Sequence, residues 1–252
     1  WFHKKVTGCL VPNTLVAELA MSYGMPPEKL TITGIPVSPA ITKEKREKNV
    51  IRKELGWQTD LPTILAVGSK RVERLVDSLN VINHFGTPLQ VAVVCGKDHD
   101  LYEQLSQFDW HIPAQLYEYS DKVPTLMKAS DLMLCKAGGL IVTESLAAGL
   151  PMLLTEIIPG QETGNAEYVT AYGAADMAET PIMILERLHH LLMNDGALLK
   201  KRVENARLLG QPDSAYLAAD IVCEAALTPE TKKPARKRTN LHLLDDALDK
   251  LI

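Results

Sequence analysis

Short apolar runs punctuate the middle of the chain at residues 63–67 (TILAV), 89–95, 132–135 and 152–154, each closed by glycine, proline or a polar residue. Their length and aliphatic content predict buried strands, and a weaker run at 115–117 adds a fifth. Between them the apolar positions fall at helical spacing, predicting helices up to about residue 85 and over 100–107, 123–129 and 140–148. Buried strands alternating with helices imply a parallel sheet covered on both faces, an α/β Rossmann-like domain sandwiched by helices. Ligands of such sheets bind beyond the carboxyl ends of the strands, so the loops after Val67, Tyr117, Cys135 and Leu154 are expected on one rim.

The pattern changes on either side. Residues 8–11 and 30–32 read as short strands around a helix over 14–23, and GIPVSP at 34–39 reads as a proline-punctuated linker. The charged stretch 42–55 predicts a solvated helix. Beyond Pro181, helical spacing runs over 182–193, 197–208 and 215–226. Residues 228–240 place Lys232, Lys233, Arg236, Lys237 and Arg238 around prolines, before a short acidic amphipathic helix at 241–252 that carries Asp245, Asp246 and Asp249 on a polar face. This basic stretch has the chemistry to touch anionic lipid, although a solvated linker is the simpler reading.

Composition narrows the function classes only a little. With 252 residues, 46% of them hydrophobic, the chain can bury one sizeable core. A net charge of −4 gives no general attraction to nucleic acid, and none is expected as a partner. Cys9, Cys95, Cys135 and Cys223 are far apart and form no CxxC, which fits a reducing compartment. No apolar run reaches the roughly 18 residues of a membrane span.

Candidate chemistry concentrates in residues 136–168, KAGGLIVTESLAAGLPMLLTEIIPGQETGNAEY. Gly138-Gly139 stand where a strand ends and a helix begins. Glycines there let the backbone turn sharply and leave helix amides free, so Gly138, Gly139 and Leu140 are candidates to hold an anion such as a diphosphate. A Gly-Gly pair can also be no more than a tight connection. Glu144 follows about one turn on, and Gln161, Glu162 and Asn165 cluster after the next strand; all four have the chemistry to read sugar hydroxyls. Asp98-His99-Asp100 formally matches a D-x-D metal motif, but its place at a helix start favours capping.

The ordered string SDLMLCKAGGLIVTESLAAGLPM followed by PGQETGNAEY, with TGIPVSP upstream, resembles the donor half of GT-B glycosyltransferases. The likeness is greatest to the monogalactosyldiacylglycerol synthase and processive diacylglycerol glucosyltransferase family, relatives of the GlcNAc transferase of peptidoglycan assembly. It implies the C-terminal domain of a GT-B fold: residues 1–36 as a remnant of an acceptor domain and hinge, 37–227 as the UDP-sugar-binding domain, and 228–252 as an appendage. The chain on this reading is half of an enzyme.

The resemblance further implies an inverting hexosyltransferase that moves sugar from a UDP-sugar to a membrane lipid such as diacylglycerol. Gly138 and Gly139 would hold the diphosphate, Glu144 the ribose, and Gln161, Glu162 and Asn165 the donor sugar. The loop bearing Tyr117 and Glu118 would contact uracil, largely through its backbone. Where relatives have a glycine-rich run, this chain has Ser69-Lys70-Arg71; this segment would either neutralise diphosphate charge or be an ordinary exposed helix start. No metal or other cofactor is expected. The base that activates the acceptor would lie in the missing domain or in a partner chain, and the location would be cytoplasmic, at the inner face of a membrane. Two other readings stay open: a non-catalytic donor-binding subunit, and a UDP-sugar epimerase or hydrolase on the same scaffold.

Overall fold

Six strands form one all-parallel sheet in the order β5-β4-β3-β6-β7-β8: β3 (Thr63–Val67), β4 (Gln90–Val94), β5 (Ala114–Tyr117), β6 (Leu132–Lys136), β7 (Met152–Glu156) and β8 (Ala175–Met177). This computed structural model describes residues 2–68 and 74–227, and the chain divides into a main unit, 1–218, and a second, 219–252. The order reverses between β3 and β6, so the two strands that meet at the centre of the sheet leave in opposite directions. Their carboxyl ends open the crevice in which such folds bind ligands.

The core lies on both faces. α6 (Val123–Ala129), α7 (Gly139–Ala148) and α8 (Thr163–Ala171) cover one face with Leu126, Met127, Val142, Leu146 and Val169. On the other, α4 (Leu75–Asn83), α5 (His99–Ser106) and the first part of α9 (Pro181–Leu209) contribute Leu79, Ile82, Leu105, Ile184 and Leu188. Both faces being dry explains why β4 and β6 read as unbroken apolar runs rather than alternating ones.

Upstream, β1 (Cys9–Val11), α1 (Thr14–Ser22) and β2 (Leu30–Ile32) form where the pattern predicts them, and the two strands pair in parallel. The linker that follows is pinned: Ser214, at the start of α10 (Ser214–Leu227), donates to the Ile35 carbonyl at 2.9 Å and accepts from Val37 N–H at 3.2 Å. The charged stretch 42–55 departs from expectation. It forms two short helices, α2 (Ala40–Lys43) and α3 (Lys48–Glu54), and α3 turns Ile51 and Arg52 inward. Arg52 is only 4% exposed because its guanidinium fills a polar niche made by the Ala129 carbonyl (2.8 Å), the Thr59 and Leu61 carbonyls and the Asp131 carboxylate.

Two elements escaped the sequence pattern: β8, three residues at the sheet edge, and α8, where no helix is predicted. The break expected between residues 193 and 197 lies inside α9, where Asn194, Asp195 and Gly196 all take positive φ. No helix among the described residues is long and apolar enough to cross a membrane. Trp1, Ser69, Lys70, Arg71 and the stretch 228–252, with the basic and acidic groups read there, lie outside the described residues.

Candidate functional site

The turn between β6 and α7 is built by its own residues. Gly138 is the N-cap of α7 and offers no side chain to cap it, and its amide is already bonded to the Lys136 carbonyl at 2.9 Å. The helix ladder begins with Val142 N–H to the Gly138 carbonyl at 3.0 Å. The amides of Gly139, Leu140 and Ile141 are therefore left without an acceptor among the described residues, at the positive end of the helix dipole. Asn165, on α8, donates to the Ala137 carbonyl at 3.0 Å and so ties the second polar cluster to the glycine turn.

Glu144 lies in the second turn of α7, partly buried and with no hydrogen-bond or ionic partner among the described residues. Burial pushes its carboxyl above the ordinary value. A half-buried carboxylate with unfilled lone pairs is a ready acceptor for ligand hydroxyls.

Glu162 is placed differently from its neighbours. It stands just before α8, only 3% exposed, and both oxygens are engaged: Oε1 by the Lys136 ammonium and Oε2 by Ile158 N–H at 3.1 Å. Each oxygen therefore has one partner inside the protein, and at this burial little of either faces solvent. Gln161 is exposed beside it. Lys136 is the residue to which sequence reasoning gave no role. Its signal was available: a charged residue at the carboxyl end of an otherwise buried strand, directly before the glycines.

On the adjacent part of the rim, the side chain of Tyr117 points back into the body of the domain, where its hydroxyl accepts from Trp57 Nε1 at 3.0 Å. Asp98 caps α5 by accepting from Leu101 N–H at 3.3 Å. Among the described residues, no cluster of three His, Cys, Asp or Glu groups is arranged to hold a metal ion.

His99, the first residue of α5, has Nδ1 2.8 Å from Glu118, just after β5, and Nε2 3.2 Å from Glu103, one turn on in the same helix. These carboxylates, Glu118 first, raise its pKa above the ordinary histidine value. A raised histidine pKa contributes stability below the unfolded-state value and loses it as pH rises through the folded-state value. Glu118→Gln is therefore expected to move the His99 titration down, read from its ring proton by NMR. An unchanged midpoint would show that the bridge does not form in solution.

Comparison with known proteins places these features in a family. Residues 63–209 match the glycosyltransferase family 28 C-terminal domain model. A probable chloroplastic monogalactosyldiacylglycerol synthase of Glycine max is 33% identical over 225 residues, covering 86% of this chain and 42% of that protein. The corresponding synthase 1 of Arabidopsis thaliana is 32% identical over 224 residues, with 86% and 42% covered. The chain thus spans less than half the length of these relatives. Among solved structures, Acinetobacter baumannii MurG superposes with a TM-score of 0.57 at 20% identity, covering 87% of this chain and 74% of that one. A Neisseria meningitidis UDP-GlcNAc 2-epimerase bound to UDP-GlcNAc gives 0.62 at 18% identity, covering 82% and 59%. These two likenesses establish the fold, the Rossmann-like half of a GT-B architecture.

Proposed function

Because the chain belongs to the glycosyltransferase family 28 C-terminal domain family, we propose that it is the donor-binding half of a transferase that takes a hexose from a UDP-sugar and delivers it to a membrane lipid. The observation that carries this reading is the uncapped start of α7, with three amides and Glu144 on one helix that have no partner among the described residues. The amides of Gly139, Leu140 and Ile141 hold the diphosphate, and Glu144 accepts from the ribose hydroxyls. Gln161 and Asn165 flank the donor sugar.

As the sugar–phosphate bond breaks, negative charge grows on the departing UDP. Fixed amide dipoles at a helix start stabilise that charge without reorganising. Inversion follows if a lipid hydroxyl attacks from the opposite face, and the base that takes its proton is supplied from outside the described residues. The lipid acceptor is supported by the relatives, two named monogalactosyldiacylglycerol synthases. The epimerase likeness supports only the fold, so the transferase reading is the stronger.

The test is calorimetric titration of the chain with UDP. Binding is expected, and Glu144→Gln is expected to weaken it by about tenfold or more, since hydrogen bonds to a charged group are worth roughly 1.5–3 kcal/mol. The same variant should leave the free chain as stable or more so at neutral pH, because it removes a charge that burial disfavours. In the wild type, UDP binding should fall as pH drops through the raised Glu144 value, starting at a higher pH than an ordinary carboxylate would give. Absence of UDP binding at millimolar concentration overturns the reading.

A further inference from the structure

The Lys136–Glu162 pair lies directly beneath the uncapped helix start. Gly138 touches both partners: a Cβ built on it would stand 3.5 Å from Lys136 Nζ and 3.5 Å from Glu162 Oε1. The pairing beside Lys136 is irregular: the β6–β7 register shifts between Cys135 and Lys136, and the extra residue, Thr155, lies on β7.

The hydrogen-bond inventory then separates the two members of the pair. An ammonium has three donors and a carboxylate about four acceptor sites. Glu162 is almost fully buried, and each of its oxygens has a partner. Lys136 spends one donor on Glu162, has no other acceptor among the described residues, and keeps 20% of its side chain open. Two unspent N–H groups and a full positive charge thus sit beside three unspent backbone amides. A lysine needed only to neutralise a buried carboxylate would not have to stand at that opening.

From this we infer that Lys136 is the cationic side chain of the diphosphate subsite, and that Glu162 is a positioning residue which holds the ammonium in place instead of reading the donor sugar. The inference rests on the diphosphate reading of the α7 start. On binding, the diphosphate accepts the two spare donors while Glu162 retains the third, so the buried carboxylate is never left unpaired. Gln161 and Asn165 then remain as the polar groups of the sugar side.

The experiment compares UDP with uridine, which lacks the phosphates, on the full chain and on the double variant Lys136→Met/Glu162→Gln. Removing both charges avoids stranding a buried carboxylate, and a thermal melt confirms that the variant is folded. The double variant is expected to lose about tenfold or more in UDP affinity, the size of a charge-assisted contact, while uridine affinity stays within about twofold. UDP binding equal to wild type would show that Lys136 serves only Glu162 and would overturn the inference alone. Failure of the wild-type chain to bind UDP overturns the inference together with the reading beneath it.

Glu162→Gln by itself separates positioning from sugar reading. Its amide oxygen can still accept from Lys136. The ratio of UDP-galactose to UDP affinity, and the same ratio for UDP-glucose, should therefore be unchanged. Collapse of either ratio would assign Glu162 to the sugar.

Discussion

Asp131→Ala is expected to destabilise the chain by about 3–5 kcal/mol, the typical cost of removing one partner from a buried ion pair. Asp131 joins three elements. Its carboxylate pairs with Arg52 and Lys48 on α3, the latter at 2.6 Å, and accepts the Thr63 amide at the start of β3 at 2.8 Å. Alanine there leaves Arg52 buried with three carbonyls but no counter-charge. The pH dependence follows the same geometry. Burial alone would push the Asp131 carboxyl up, but the Lys48 and Arg52 charges with their hydrogen bonds outweigh it and hold the carboxyl below its usual range. A depressed carboxylate contributes stability above the unfolded-state pKa, about 4, and loses it as pH falls through the folded-state value. Urea unfolding across pH 3–7 checks both points. A loss under about 1 kcal/mol would mean that the cluster is solvated like an ordinary surface pair.

Gly210→Ala is expected to cost about 3 kcal/mol, the upper part of the usual range for overpacking. Gly210 closes α9 with φ of −67°, a conformation open to any residue, so the requirement is for space. A methyl group there would stand 2.8 Å from the Leu146 carbonyl carbon and nearer still to its oxygen. That carbonyl cannot yield easily, because it accepts the Gly149 amide that ends α7 at 2.9 Å. Relief requires α7 and α9 to separate. Since the other end of α7 forms the proposed anion site, the variant should lose UDP affinity along with its melting temperature. A stable variant with unaltered UDP binding would show that the two helices have slack.

The strands of the central sheet are legible because both faces are dry, which leaves aliphatic runs such as TILAV that no solvated segment would carry. The glycine turn was visible as residue types whose chemistry matches a strand end, and Glu144 as a carboxylate about one helical turn beyond it. Arg52 was not, because its burial depends on carbonyls and a carboxylate that are 7 to 79 positions away in the chain. Glu162 read as one more group for sugar hydroxyls, and its ion pair was hidden for the same reason. Its partner Lys136 stands 26 positions upstream, and only folding brings the two charges together under one glycine. β8 has too few residues to show any period, and α8 begins with polar residues that carry no apolar stripe.

The reversal of strand order between β3 and β6 also orders events in time. The β3–β4 ladder joins residues 27 positions apart, as in the Thr63–Gln90 side-chain contact, whereas the Thr63–Asp131 contact closes 68. For flexible loops that difference adds about 0.8 kcal/mol of closure entropy, and the longer closure gains its reward only after β6 is in place. The β3–β4–β5 layer can therefore assemble from nearer contacts, with β6 docking later and bringing the glycine turn with it. The centre of the finished sheet, where the ligand crevice opens, is on this account a late seam in the folding of the chain, and Asp131 is one of the groups that close it.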